Sequence, residues 1–94
     1  LIRESDLFDE TWYLMRYPEV ASKKMDPAWH YLYYGGFAGQ DPGPKFSSQW
    51  YLDAYPDVRK AHMNPLIHYL KYGQKENRFL ARSEIISEAF ENEP

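Results

Sequence analysis

The sequence of 94 residues contains no cysteine, so it offers neither a disulfide framework nor thiolate chemistry. It also has no large excess of one charge: 11 Lys and Arg stand against 14 Asp and Glu, a formal net charge of −3. That balance argues against nucleic acid as a partner, which requires a basic stripe, and against a polybasic membrane contact. No apolar run approaches the roughly 18 residues of a membrane span, so we expect no membrane insertion.

Aromatic residues, by contrast, are abundant and make up 18% of the chain. At this length we expect a single domain over residues 1–94, with a modest core and too little chain for a typical two-substrate enzyme. The first residue is Leu1 and not methionine. We therefore expect the chain to be an excerpt of a larger protein.

The chain resembles itself at a constant offset of 38 positions. Residues 8–35 and residues 46–73 are identical at 14 of the 28 compared positions, without a gap. The identical pairs include Trp12 and Trp50, Pro27 and Pro65, His30 and His68, and Gly35 and Gly73. We interpret residues 8–45 and 46–82 as two tandem repeat units, which either clasp each other about a pseudo-twofold axis or come from a longer array.

Each unit is predicted to contain two short helices. In the first unit, Asp9 is placed to cap a helix from Glu10 to about Tyr17, which Pro18 should end or kink. The pair Asp26-Pro27 puts a capping side chain before a proline at the first position of the second helix, and Gly35 should end that helix in the left-handed conformation. The second unit carries the same pattern in Ser47, Pro56, Asn64, Pro65 and Gly73.

No useful window alternates with period two, so the predicted class is all-α: two helix-pair repeats and a terminal helix. That last helix is expected over residues 83–93, where Ile85, Ile86, Ala89 and Phe90 recur at helical spacing. The first unit has no counterpart of it. It would serve as a cap over the repeat core or as a connector to a following domain.

His30 and His68 are the candidates for chemistry, as a metal pair or a general base. The simpler interpretation is that each imidazole is half-buried and bonds a backbone carbonyl or a nearby hydroxyl. The histidines have no cysteine and no obvious carboxylate cluster beside them, and the Asp and Glu residues fall mostly at caps, turns and polar faces. We therefore predict no catalytic residue, no metal and no cofactor.

The aromatic residues divide into repeated and unrepeated positions. Twelve of the 17 form six pairs at the offset of 38 and are expected in the core: Phe8/Phe46, Trp12/Trp50, Tyr13/Tyr51, Tyr17/Tyr55, Tyr31/Tyr69 and Tyr34/Tyr72. Trp29, Tyr33 and Phe37 are unrepeated and close in sequence. They are predicted to bind a ligand or a protein partner, unless the terminal helix or a neighbouring domain covers them.

Several motifs together resemble a known repeat. Trp50-Tyr51-Leu52, Tyr55-Pro56-Asp57-Val58, residues 64–70 (Asn-Pro-Leu-Ile-His-Tyr-Leu), Gly73 and Glu76-Asn77-Arg78 are similar to a repeat of bacterial polysaccharide-biosynthesis proteins, found beside glycosyltransferase domains of the rhamnan-synthesis type. The resemblance covers about residues 8–80. Asn77 stands where that family usually has Gly, and Ala38-Gly39-Gln40 lacks both charged residues of the motif.

The resemblance implies a non-catalytic module of a carbohydrate-handling protein and favours the cytoplasm. The partner would be another domain of the parent chain or a separate protein, and self-association is left open. The alternative is a carbohydrate-binding module that uses Trp29, Tyr33 and Phe37 as an aromatic platform.

Overall fold

The computed structural model describes residues 1–80, which form an all-α fold. Its six short helices are α1 (Glu10–Arg16), α2 (Pro18–Ser22), α3 (Pro27–His30), α4 (Ser48–Ala54), α5 (Pro56–Lys60) and α6 (Pro65–His68). α3 continues into a π-helical turn over Tyr31–Gly35, and α6 into another over Tyr69–Gly73. Within residues 1–80 no strand forms, and no helix is long and apolar enough to cross a membrane. The terminal helix predicted over residues 83–93 lies outside the described residues.

The predicted helix starts are confirmed by their capping hydrogen bonds. Asp9 accepts from the Trp12 N–H at 3.0 Å to begin α1, and Ser47 accepts from the Trp50 N–H at 3.3 Å to begin α4. Pro27 and Pro65 open α3 and α6. The residue before each of them, Asp26 and Asn64, accepts from the main-chain N–H groups of its helix. These four local signals therefore set where the helices begin.

The prediction of two helices per half is wrong, because each half contains three. Tyr17, before Pro18, is forced out of the helical region (φ −126°, ψ 74°), and α1 ends at Arg16. Pro18 itself has a helix-compatible φ and occupies the first position of α2. Tyr55 and Pro56 do the same between α4 and α5. Each proline thus ends one helix and begins the next.

Gly35 and Gly73 are not left-handed helix stops, which corrects the second local prediction. They lie inside the π-helical turns, and the glycine with positive φ is Gly39 (φ 86°). A Cβ at Gly35 would lie 2.2 Å from the Tyr13 hydroxyl oxygen, and a Cβ at Gly73 would lie 2.3 Å from that of Tyr51. These two positions are therefore glycine because a tyrosine packs against the backbone there.

A left-handed residue follows each of these turns, four positions after the glycine. Gly39 has φ 86°, and Asn77, 38 positions on, has φ 58°. Asparagine is one of the few residues besides glycine that adopt this conformation readily. Asn77 therefore suits the left-handed backbone that this position requires.

The core is built largely from tyrosine and phenylalanine. Tyr13, Tyr31, Phe46 and Tyr51 are fully buried, and their rings meet one another and their neighbours at tilted and edge-on angles. Partly buried members of the repeated pairs pack against this core: Phe8, Tyr17, Trp50, Tyr55 and Tyr69. Trp12 is also partly buried, but its ring meets that of Tyr17 edge-on at the margin of this core. Aromatic pairs at such angles add to the stability that burial provides.

One of the six aromatic pairs contradicts the expectation of burial. Tyr34 is 56% exposed and Tyr72 is 51% exposed. Both follow a histidine by four positions and pack against its ring at a tilted angle, with ring centroids 6.1 Å apart for His30 and Tyr34 and 5.5 Å apart for His68 and Tyr72. Repetition of a residue thus reflects a repeated contact here, but not a buried one.

Side-chain hydrogen bonds join the two halves of the molecule. The hydroxyls of Tyr31 and Ser48 are 2.8 Å apart in a buried position, and the Asp41 carboxylate accepts from the Ser48 N–H at 2.9 Å. The Asn64 side chain donates to the carbonyl oxygens of Tyr31 and Leu32. These polar contacts fix the relative placement of the halves and of the surface that they carry.

Candidate functional site

Three exposed aromatic side chains adjoin one another on α3 and its π-helical turn. Trp29, Tyr33 and Tyr34 are 44%, 57% and 56% exposed. The Trp29 ring centroid lies 5.4 Å from that of Tyr33 and 5.4 Å from that of Tyr34. The ring planes are inclined by 53° and 62°. We call these three residues the aromatic face; Tyr34 was missed from the sequence because its repetition in Tyr72 indicated burial.

The structure brings together two of the three predicted site residues. Phe37 is 44% exposed, as a binding residue would be, but within residues 1–80 its ring stacks on no other. It lies beyond the end of the π-helical turn, so the helical spacing that joins Trp29 to Tyr33 does not extend to it. The aromatic face is therefore the better-defined surface.

The second half presents different chemistry at the corresponding positions. Residues 67, 71 and 75 replace Trp29, Tyr33 and Phe37 with Ile, Lys and Lys. Ile67 is partly buried against the core, whereas Lys71 and Lys75 are exposed. The aromatic face is therefore a feature of the first half alone, although both halves have the same backbone elements.

An open groove of about 460 Å³ borders the aromatic face. Trp29, Tyr33 and Ile67 line one part of it, and the N-terminal residues Ile2, Arg3 and Glu4 line another. Ile2 is 5% exposed and belongs to the core. The groove thus combines aromatic and aliphatic surface with charged side chains at its edge.

Both histidines are held by tyrosine hydroxyls. The Tyr13 hydroxyl lies 2.7 Å from Nδ1 of His30, and the Tyr51 hydroxyl lies 2.9 Å from Nδ1 of His68. Burial and the nearby Arg78 lower the pKa of His68. The simpler interpretation is confirmed in that each imidazole bonds a nearby hydroxyl, but only His30 is half-buried, whereas His68 is buried at 7% exposure. Within residues 1–80 no group of three potential metal ligands forms.

The Tyr13 hydroxyl takes part in two hydrogen bonds, which together indicate which atom donates in each. Its hydroxyl also donates to Oε1 of Gln40 at 3.1 Å. Because a tyrosine hydroxyl has one proton to donate, His30 must donate from Nδ1 to the Tyr13 oxygen for both bonds to exist. Burial raises the pKa of Tyr13, so the hydroxyl stays protonated. This network positions the π-helical turn that carries Tyr33 and Tyr34.

Arg78 takes the place of Gln40 in the second half. Its guanidinium lies 4.6 Å from the centroid of the Tyr55 ring and donates to both carboxylate oxygens of Asp57, at 3.2 and 3.0 Å. It also pairs with Glu76 at 3.3 Å. The Arg78 hydrogen bonds lower the pKa of Asp57. The Glu and Arg of the last motif are thus joined in the second half only, since Ala38 and Gln40 stand at their positions in the first.

Asp41 is a residue whose importance the sequence did not reveal. It lies in a segment predicted only as a loop, yet it is half-buried, and burial raises the pKa of its carboxyl group. Its oxygen accepts from the first N–H of α4, on Ser48. Its role is therefore to tie the connecting segment to the second half.

Comparison of the chain with models of protein families, with curated proteins and with solved structures finds no match. The geometry of the aromatic face and of the groove beside it is therefore what supports a function.

Proposed function

We propose that this chain is a non-catalytic helical repeat module of a larger bacterial glycosyltransferase or other polysaccharide-biosynthesis protein, and that it docks a protein surface through the aromatic face. The partner is another domain of the parent chain or a separate subunit. The observation that carries the docking role is the cluster of three adjoining aromatic side chains, Trp29, Tyr33 and Tyr34, each about half exposed. Such residues are enriched at the centres of protein interfaces.

The module is proposed to consist of two copies of one unit with a period of 38 residues. Apart from the sequence identities, matching hydrogen bonds support this. The Asp41 N–H donates to the Tyr17 hydroxyl at 2.8 Å, and the Phe79 N–H donates to the Tyr55 hydroxyl at 3.0 Å. The tyrosine–histidine pairs are separated by 17 residues in both halves. The two copies would share one packing scheme and differ in what they expose.

The angles between the aromatic rings favour a protein partner over a sugar. A sugar-stacking platform presents rings that are parallel and face outward, so that a flat pyranose can lie on them. The Trp29 ring is instead inclined by 53° to Tyr33 and by 62° to Tyr34. Inclined rings make a ridged apolar surface, which suits an interdigitating protein side chain.

Carbohydrate binding remains the alternative because of the groove. Trp29 and Tyr33 line it together with the charged residues Arg3, Glu4 and Asp26. An exposed aromatic ring with hydrogen-bonding groups at its edge is an arrangement that holds a sugar ring. This candidate needs the groove as well as the rings.

The bonding of the histidines supports a module without catalysis of its own. His30 and His68 are engaged with Tyr13 and Tyr51, and no histidine lines the groove beside the aromatic face. A general base must reach the proton that it abstracts. Any enzymatic activity would then belong to other parts of the parent protein.

Hydroxyl-radical footprinting tests the docking proposal. The chain alone and the complete parent protein are oxidised under the same conditions, and the oxidation of Trp29, Tyr33 and Tyr34 is measured by mass spectrometry. We expect these three to be protected in the parent protein, while Met15 and Tyr72, which are 78% and 51% exposed, stay reactive and serve as internal controls. Equal oxidation of the aromatic face in both samples would contradict intramolecular docking.

A matched variant separates the two candidate functions. Trp29→Ile with Tyr33→Lys gives the first half the residues that the second half carries at these positions, so we expect the fold to persist. An NMR titration of the wild-type chain with bacterial glycan oligosaccharides then uses the Trp29 indole as the reporter. Saturable shifts that the double variant loses would establish the carbohydrate alternative and overturn protein docking as the main role.

A further inference from the structure

One side chain, Asn64, closes the junction between the two halves. Its Oδ1 accepts from the N–H groups of Leu66 and Ile67, at 2.9 and 3.2 Å, and so caps α6. Its Nδ2 donates to the carbonyl oxygens of Tyr31 and Leu32 in the first half, at 3.1 and 3.2 Å. The residue is 4% exposed. A single buried amide therefore caps its own helix and bonds the neighbouring half.

The first half accommodates this amide at Gly36. A Cβ on Gly36 would lie 2.3 Å from Nδ2 of Asn64, closer than a real Cβ contact. The φ of Gly36 is −59°, which any residue adopts, so the glycine is required for space and not for its conformation. A junction of this kind thus needs an amide donor on one unit and a glycine on the other.

In the first half, the position that corresponds to Asn64 lacks the donor. Asp26 corresponds to Asn64 at the offset of 38, and its backbone is alike: φ −66° and ψ 121°, against −62° and 132°. The Asp26 carboxylate caps α3 by accepting from the Ala28 N–H at 3.1 Å. An ionised carboxylate has no proton to donate to a carbonyl oxygen. Asp26 pairs with the Arg3 guanidinium instead.

In the second half, the position that corresponds to Gly36 lacks the space. Gln74 corresponds to Gly36 with nearly the same backbone, φ −59° and ψ −44° against −59° and −42°. Its N–H donates to the Tyr69 carbonyl at 2.9 Å, as that of Gly36 does to Tyr31 at 2.9 Å. A side chain at position 74 therefore occupies the place that an incoming amide would need.

The N-terminal segment, residues 1–7, borders both of these positions. Arg3 meets Asp26, and Ile2 is buried beside it at 5% exposure. Residues 4–7 form one side of an open groove of about 410 Å³, and Tyr69, Leu70 and Gln74 line its other side. The two surfaces that a further unit would use are thus bordered by the chain's own first residues.

We propose that the chain is a closed pair of units: Asp26 and Gln74 prevent another copy of the unit from making the junction that Asn64 and Gly36 make, and residues 1–7 lie beside both of these positions. The inference rests on the proposed two-unit repeat and is independent of what the aromatic face binds. It means that a second molecule of this chain does not extend the pair end to end.

The test introduces the residue types of positions 26 and 74 at the corresponding positions 64 and 36, where the two halves are joined. Asn64→Asp keeps a good helix cap but removes the two donated bonds and places a carboxylate against two carbonyl oxygens. Gly36→Gln introduces at position 36 the glutamine found at position 74, and its side chain would collide with that of Asn64. We expect each variant to lower the melting temperature by about 5 °C or more. The reverse change at the corresponding position of the first half, Asp26→Asn, is the matched control, expected to shift it by only about 2 °C.

If either Asn64→Asp or Gly36→Gln has the melting temperature of the wild type, the inference is overturned. The junction would then tolerate an aspartate or a glutamine, so Asp26 and Gln74 could not prevent stacking. Sedimentation velocity on the wild-type chain gives a second, independent reading. We expect a monomer across the accessible concentrations. Association that Gln74→Arg abolishes would also overturn the inference. Neither result depends on Trp29 or Tyr33, so these experiments can fail or succeed independently of the docking proposal.

Discussion

The Tyr51 hydroxyl lies 2.9 Å from Nδ1 of His68, and the same hydroxyl lies where a Cβ on Gly73 would collide with it. Tyr51 is fully buried on α4, whereas His68 ends α6. The hydroxyl of Tyr51 thus joins α4 to α6, which are separated in the chain by α5. Tyr13, His30 and Gly35 make the same arrangement in the first half.

Tyr51→Phe is expected to lower the free energy of unfolding by about 1–2 kcal/mol, because it leaves Nδ1 of the buried His68 without its partner while the ring packing is kept. Urea denaturation followed by circular dichroism measures the change. Tyr72→Phe is the control, since this residue is about half exposed and its hydroxyl has no hydrogen-bond partner within residues 1–80. Equal effects of the two substitutions would contradict the role of the Tyr51 hydroxyl.

Gly73→Ala is expected to destabilise the fold by about 1–3 kcal/mol, because the added methyl group would lie 2.3 Å from the Tyr51 oxygen. The sign is informative, since Gly→Ala inside an unobstructed helix usually stabilises by about 0.5–1 kcal/mol. Thermal melting of this variant beside Gln74→Ala, at the exposed next position, measures the effect. A stabilised Gly73→Ala protein would show that Tyr51 does not pack against this backbone.

The stability of the fold should fall as the pH drops below the ordinary histidine value of 6.5, because burial first, and Arg78 second, lower the pKa of His68. In that range the unfolded chain binds the proton more readily than the folded one, so protonation favours unfolding. The stabilisation is complete above pH 6.5 and is lost as the pH falls towards the folded pKa. Asp57 and Glu76 act in the opposite direction and limit the shift.

Melting temperatures between pH 5 and 8 measure this dependence. His68→Gln should flatten the curve in the window below pH 6.5, and His62→Gln, at an exposed position, should leave it as it is in the wild type. A curve unchanged by His68→Gln would mean that His68 does not carry the dependence.

Arg78→Ala is expected to cost about 1–2 kcal/mol of stability, because it removes a two-pronged pairing with Asp57 and a cation–π contact with Tyr55. Arg78→Lys should recover little of this, since an ammonium cannot make both bonds. Arg59→Ala is the control: its exposed pair with Asp53 should be worth less than about 0.5 kcal/mol. The urea midpoints of the three variants measure these effects. If Arg78→Lys is as stable as the wild type, the positive charge alone accounts for the contribution of Arg78.

The sequence predicted the parts of the fold that depend on neighbouring residues. Asp9, Ser47, Asp26 and Asn64 cap helices because a side-chain oxygen near an unpaired N–H acts over two or three residues. The all-α class was predicted because no useful window alternates with period two. The sequence also predicted the break at Pro18. It did not predict the helix that begins there, because the proline was considered only as the end of a helix and not as the first residue of the next.

Longer-range contacts account for the predictions that failed. Gly35 and Gly73 looked like helix stops, but the reason for glycine is a tyrosine that arrives from another helix. Tyr34 and Tyr72 repeat because each packs against a histidine, and that contact does not require burial. Phe37 is near Trp29 in sequence but outside its cluster of rings.

By itself, the sequence determined the helical class, the helix starts and the residues unique to the first half, because these depend on local bonding and on comparison of positions within the chain. Only the tertiary structure decided which rings adjoin, why certain glycines are required and how Asn64 joins the halves. Those features depend on distances of a few ångströms between residues far apart in the chain, which no local pattern specifies.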